Sequence, residues 1–222
     1  MENIMENIMD IFPFWSDLNV ADQKLMKDSI QIEKYNKGMM IHRCDQNCKG
    51  LLSVSKGQLR IYILSEEGRE VTLYRVHERE VCVLSASCLM DSIAFDVLIE
   101  ATEATEVLVL PASSLNQILA RNPAVELYLY KTAAENFSDV MWMMQQILFM
   151  KIDQRVAQFL WDEMIHKDST VLKITHDEIA RYIGSAREVV TKVMKYFAQE
   201  GAVELTRGKV EIKNKNKLRE FL

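Results

Sequence analysis

The 222-residue chain is 49% hydrophobic and 27% charged with a net charge of −5, an ordinary globular composition that can bury a sizeable core in one large domain or two small ones. No apolar run reaches the roughly 18 residues a membrane span needs, and the N-terminal MENIMENIMD has no basic region ahead of an apolar one, so neither a membrane protein nor a secreted one is expected. The charge is uneven: residues 151–222 hold 14 Lys+Arg against 11 Asp+Glu, a net of +3, which leaves −8 on the first 150.

The duplicated MENI at the start is too short to be a repeat architecture. From about Ile30 to Leu110 the pattern turns β-like. QIEKY, MMIH, LLSVSKG, QLRIYIL, EVTLYRV, VCVLS, FDVLIEA and TEVLVL are short, rich in branched and aromatic residues, and often alternate with polar ones. Turn signals at Lys56-Gly57, Glu66-Glu67-Gly68 and His77-Glu78-Arg79 separate several of them, and Pro111 ends the last. About eight such strands predict an antiparallel β-roll of the jelly-roll type.

Asn122-Pro123 then opens a helix, as an N-cap followed by proline at the first helical position. Its apolar residues Leu127, Tyr130, Ala134, Phe137, Met141, Met144 and Leu148 fall at 3-4-3-4-3-4 spacing, an a/d seam of nearly four heptads. A second stripe, Leu129, Ala133, Val140, Met143 and Ile147, runs beside it. Two stripes suggest two tasks, one face docked on the roll and the other on a second copy of the protein; the alternative is a single wide buried face in a monomer. A break near Met150-Lys151 precedes a further amphipathic helix, DQRVAQFLWDEM.

Residues 174–200, ITHDEIARYIGSAREVVTKVMKYFAQE, predict two short helices. Thr175 with Glu178 forms a capping box, Gly184 supplies the left-handed turn, and Ser185 with Glu188 forms a second capping box. Ile179, Ala180 and Ile183 on the first helix, and Val189, Val190, Val193, Met194 and Phe197 on the second, are the expected buried faces. The pair is a helix-turn-helix. GAVELTRGKVEI follows as a two-stranded wing, and the basic KNKNKLREFL either lies near phosphates or forms a solvated C-terminal helix. With the second helix in the major groove, Ser185, Arg187, Glu188, Thr191 and Lys192 are the candidate DNA contacts. Arg187 suits guanine O6 and N7, and Glu188 suits cytosine N4 unless it is spent on capping. His176 reads as an exposed first-turn residue.

A β-roll, a long helix and a C-terminal winged helix-turn-helix, in that order, resemble the Crp/Fnr family of bacterial transcription regulators. VSKGQLRIYILSEEGREVTLYRV is similar to the family's cyclic-nucleotide-binding-type roll and IGSAREVVTKVMKYF to its recognition helix, where the family's Arg-Glu pair matches Arg187 and Glu188 and its later basic residue Lys192. The resemblance implies an α+β protein in three parts: residues 1–121 as a sensing roll with N-terminal helices, 122–150 as the dimerisation helix, and 151–222 as the reading domain. It further implies a homodimer on a two-fold symmetric site in double-stranded DNA, recruiting or blocking RNA polymerase; the lack of an export signal and the small number of cysteines point to the reducing cytoplasm.

The effector is a departure. Where cyclic-AMP-binding members carry a Gly-Glu pair and, about ten residues on, an arginine for the cyclic phosphate, this chain carries Leu84-Ser85 and Phe95. A buried phosphate without a cation is costly, so cyclic AMP in that pose is not expected and the small effector is unknown. The three N-terminal cysteines of the oxygen-sensing members are also missing. The chain's own set is Cys44, Cys48, Cys82 and Cys88, open to three readings: ligands of an iron–sulfur cluster or zinc, redox-active thiols, or small buried hydrophobes. Fully extended, Cys82 and Cys88 stand about 20 Å apart, too far for one cluster unless the chain bends within LSAS. Catalysis is not expected: the roll has only His42 and His77, too few for a cupin site, and the chain has no Ser/His/Asp arrangement, P-loop or GxGxxG. A sensory or scaffolding dimer that does not bind DNA is the alternative of another class.

Overall fold

A computed structural model of the chain describes Ile8 and residues 11–42, 49–85 and 97–222. The chain forms two compact units, Met1–Ile63 with Leu73–Val140, and Leu64–Thr72 with Met141–Leu222.

Among the described residues, the first unit includes a 3-10 turn, Pro13–Asp17, and helix α1, Val20–Ser29, capped by Asn19, whose side chain accepts from the Asp22 amide. Among the described residues eight strands follow: β1 (Gln31–Tyr35), β2 (Met40–His42), β3 (Leu51–Lys56), β4 (Leu59–Leu64), β5 (Glu70–Val76), β6 (Val81–Cys82), β7 (Leu98–Ala101) and β8 (Thr105–Leu110). They make two four-stranded sheets, ordered β1-β8-β3-β6 and β2-β7-β4-β5, the expected roll. Alternation along the strands sends Leu51, Leu108 and Leu110 into a core shared with Phe12, Phe14, Trp15 and Met26. Helix α2, Ala112–Leu119, follows Pro111 and was not foreseen; its Leu115 and Ile118 enter the same core.

Helix α3, Pro123–Phe149, begins after Asn122 as expected, but the Asn122 side chain has a different task. Its amide donates to the buried Asp22 carboxylate (2.8 Å) and to the Ile118 carbonyl (2.8 Å). Arg121 pairs with the other Asp22 oxygen at 2.6 Å, so the carboxylate ties α1 to the α2–α3 junction.

Two details of the roll follow from single residues. VCVLS is extended only at Val81–Cys82 and then turns as 3-10 helix, because the Ser85 hydroxyl donates to the Cys82 carbonyl and accepts from the Leu52 amide (3.0 Å) in place of ladder partners. Residues 83–85 are therefore not extended, and the rest of the path to Cys88 lies outside the described residues. Gly57 has φ +89°, and a Cβ there would stand 2.7 Å from the Ala104 carbonyl and 2.9 Å from the Thr105 Cα. Both are backbone atoms of the adjoining Ala104–Thr105 segment and cannot give way, so Gly57→Ala is expected to cost the roll about 2 kcal/mol or more, read as a lowered midpoint in urea.

In the second unit, α4 (Ile152–His166) leads to β9 (Val171–Leu172), α5 (His176–Ile183), α6 (Arg187–Gln199), β10 (Val203–Thr206), β11 (Lys209–Ile212) and α7 (Lys215–Arg219). The sheet order is β10-β11-β9, so the wing gains a third strand. Ile179, Ala180, Ile183, Val190, Met194 and Phe197 are buried as the sequence predicts, around Val156, Leu160 and Leu172. Two predicted positions depart: Val193 is half-buried, and Val189 is 38% exposed, because the buried stripe of α6 runs Val190, Met194, Phe197 and leaves its neighbour outside. No described helix is long and apolar enough to cross a membrane.

Candidate nucleic-acid interface

Helix α5 starts on the predicted capping box. Thr175 Oγ1 accepts from the Glu178 amide (3.2 Å), and Glu178 Oε2 accepts from the Thr175 amide (2.8 Å). It ends at Gly184 in the left-handed region, φ +62°, and the Ser185 amide closes back on the Ala180 carbonyl at 2.9 Å. That closure corrects the second capping box. Ser185 is spent ending α5, so α6 begins two residues later with Ala186 at its N-cap and no side-chain cap. Glu188 makes no capping bond and stands in the exposed first turn.

The carbonyl end of α5 is held by side chains. Arg155 Nη1 donates to Ile183 O at 2.9 Å, Thr72 Oγ1 to Arg181 O at 3.2 Å, and the Arg69 guanidinium to Gly184 O. These bonds satisfy carbonyls that a helix end leaves open, and they fix the turn on which the angle of α6 depends.

Of the five sequence-predicted contacts, Arg187, Glu188 and Lys192 are exposed on α6, and Ser185 and Thr191 are half-buried. The structure brings all five to the N-terminal half of one helix and its entry. Thr191 is engaged inside the protein: its hydroxyl donates to the Arg187 carbonyl (2.8 Å), and its oxygen lies 3.1 Å from His176 Nδ1. His176 is thus not the exposed residue the sequence suggests but a half-buried link between the two helices. Burial first, then the cations Arg187 and Lys195, hold its pKa below the ordinary histidine value. The missed signal is a position 15 residues from Thr191, which only the helix crossing brings near.

The wing presents Arg207 and Lys209 exposed at its tip, while Lys213 is paired with Glu204 and Glu211. The basic tail is a docked helix rather than a free arm. Leu218 is buried, Phe221 stacks on Phe197 at 4.5 Å, and Lys217 donates to the Glu200 carbonyl at 2.6 Å.

Along α3, the a/d seam is uncovered. Leu127, Tyr130, Ala134, Phe137, Met141, Met144 and Leu148 are all exposed, Phe137 by 64% and Leu148 by 66%. Of the second stripe, Leu129 is buried, Ala133 packs on the roll core, Val140 and Met143 are half-buried, and Ile147 is exposed. Trp142 and Phe149 add exposed aromatic surface that the heptad pattern does not include.

Of the cysteines, Cys82 is a free thiol, fully buried on β6. Burial pushes its pKa up to about 11, against weaker opposing hydrogen bonds from Ser85 and Leu84, so it is a thiol and not a thiolate near neutrality. Because the folded value lies above the ordinary 9.0, the native state favours the protonated form. Its contribution to stability is therefore full below about pH 9 and is lost as pH rises toward 11. With the other three cysteines replaced by serine, native protein at pH 8 is expected to resist a thiol-specific dye that reacts at once in denaturant; equal rates in both states would contradict this. Cys44, Cys48, Cys88 and Phe95 lie outside the described residues. Among the described residues no group of three His, Cys, Asp or Glu is placed to hold a metal.

Residues 154–221 match the Crp-like helix-turn-helix domain and residues 32–122 the cyclic nucleotide-binding domain. The cAMP-activated global transcriptional regulator CRP of Salmonella typhimurium is 24% identical over 179 residues, spanning 78% of this chain and 84% of its own. The transcriptional activator protein FnrA of Stutzerimonas stutzeri is 25% identical over 204 residues, spanning 88% and 82%. A crystal structure of a transcriptional regulator from Eubacterium rectale, assigned to the crp/fnr family, is 45% identical, with a TM-score of 0.90 over 95% of this chain and 98% of that one. With roll, long helix and winged reading pair matched nearly end to end, this chain belongs to the Crp/Fnr family of DNA-binding transcription regulators.

Proposed function

We propose that the protein is a homodimer that reads a two-fold symmetric operator with α6 in the major groove, under control of a signal sensed in the roll. The observation that carries the reading is the division of α6: Val190, Met194 and Phe197 hold the fold, while Arg187, Glu188 and Lys192 face solvent. Arg187 then contacts guanine, Glu188 contacts cytosine N4, and Lys192 reaches a base or phosphate one turn on. The uncovered seam of α3 supports the second copy, because a contiguous apolar stripe of this length is rarely left to water. The functional division is residues 1–121 for sensing, 122–150 for pairing and 151–222 for reading.

The effector is a small molecule other than cyclic AMP in the pose of the cAMP-activated relatives. Ser85, at the ribose-binding acid's position, is buried and committed to Leu52 and Cys82. The signal acts through the hinge where α3 ends at Phe149 and α4 starts at Ile152, shifting the two readers between competent and incompetent spacings. The bound dimer then engages or obstructs RNA polymerase.

Selection from a random-sequence duplex pool tests this reading. Enrichment of an inverted repeat with half-sites centred about 34 Å apart, or a multiple of it, is expected. An unenriched pool would leave a dimer that does not read DNA.

A further inference from the structure

We propose that His176 is a proton-gated DNA contact: DNA binding by this reading head takes up a proton at His176 Nε2, and the imidazolium so formed donates to a backbone phosphate. The inference rests on α6 being the reading helix.

The hydrogen bonds assign the tautomer. The Thr191 hydroxyl has one proton, and it goes to the Arg187 carbonyl at 2.8 Å. With that proton so placed, Thr191 Oγ1 accepts from His176 Nδ1, 3.1 Å away, and we take Nδ1 as the nitrogen that carries the hydrogen. In the neutral ring Nε2 is left with a lone pair. Among the described residues Nε2 meets no protein partner, and it is not one of the buried polar atoms lacking one, so solvent reaches it. A lone pair repels a phosphate oxygen; a second ring proton converts the same atom into a charge-assisted donor. Phosphate contact at this atom therefore requires protonation.

The surroundings make that step conditional on DNA. Arg187 and Lys195, both on α6, are the cations that bear on the ring. The carboxylates of its own helix are engaged elsewhere, Asp177 with Arg181 (3.0 Å) and Glu178 with the Thr175 cap. The ring also begins α5, where the helix dipole opposes positive charge. In free protein burial first, and then these charges, keep the imidazole neutral at pH 7. Phosphates offset the field of Arg187 and Lys195 and add an acceptor, so the bound form favours the imidazolium. The sign follows: protons are taken up on binding, and affinity falls as pH rises through the interval between the free and bound values.

The test uses full-length protein and the operator obtained by pool selection. Affinity at fixed salt is measured by fluorescence anisotropy from pH 5.5 to 8, for wild type and His176→Gln. The result expected is a wild-type loss of about three- to tenfold between pH 6 and 7.5, within the limit of tenfold per pH unit for one proton, and a flat profile for His176→Gln. Ring-proton NMR supplies a readout independent of affinity: the resonance missing in His176→Gln should titrate below 6.5 in free protein and higher with operator. A flat wild-type profile, a slope retained in His176→Gln, or a His176 pKa unmoved by operator overturns the proposal while leaving the reading helix in place. Failure of wild type to select any site overturns both.

Discussion

Arg187→Ala is expected to weaken binding to the selected operator by about 1–3 kcal/mol and to relax the preference at one base position in each half-site. Arg187 is the first residue of α6, exposed, and needed by no buried contact of the helix pair. An exposed substitution of this kind changes folding stability by no more than about 0.5 kcal/mol, so lost affinity reports on recognition. A guanidinium matched to guanine O6 and N7 loses two charge-assisted bonds at once and leaves both acceptors unpaired. Titration of wild type and variant against the operator and its single-base variants at equal salt checks this. A base contact predicts relaxed specificity at one position with nearly the same salt slope. A phosphate contact predicts uniform loss across sequences with a slope reduced by about one. Equal affinity of variant and wild type would remove Arg187 from the interface.

Phe137→Glu is expected to dissociate the protein into monomers. Phe137 lies at the middle of the α3 seam and is 64% exposed within one chain, so the change costs the monomer little. In a two-fold interface it meets its own copy or a close seam neighbour, which places two carboxylates among apolar side chains, each without a partner. A rise in the dimer dissociation constant of at least about 100-fold, some 2.7 kcal/mol, follows. Sedimentation equilibrium measures it directly. The wild-type melting temperature should rise with protein concentration and the variant's should not. Unchanged mass in the variant would mean the seam is not where the copies meet.

Period and punctuation carried most of the fold. The roll strands alternate or run apolar between turn signals, and all eight appear, because a pleated surface with one buried side leaves that mark on a sequence. The α3 helix and its apolar stripe were legible because 3-4 spacing sustained over nearly four heptads marks an amphipathic helix. What escaped depended on partners distant in sequence. Asn122 reads as an N-cap until Asp22, 100 residues away, takes its amide. Ser185 with Glu188 reads as a capping box until the closure of α5 uses the Ser185 amide. His176 carries no pattern at all; its position between two helices is a product of how they cross. On α6, residue types and spacing sufficed to place Arg187, Glu188 and Lys192 on the exposed side, since exposure on a helix follows from which neighbours are buried. The internal commitment of Thr191 did not show.

The most direct test of a dimer reading two coupled half-sites is a change of their spacing. About five base pairs, half a helical turn, would be inserted at the centre of the selected operator, and a full turn of about ten into a second duplex. Two readers joined through α3 cannot both face the groove after half a turn. Binding is expected to fall at least tenfold with the half-turn insertion and to recover in part with the full turn. Equal affinity for all three duplexes would show the two heads acting independently and would contradict the coupled dimer.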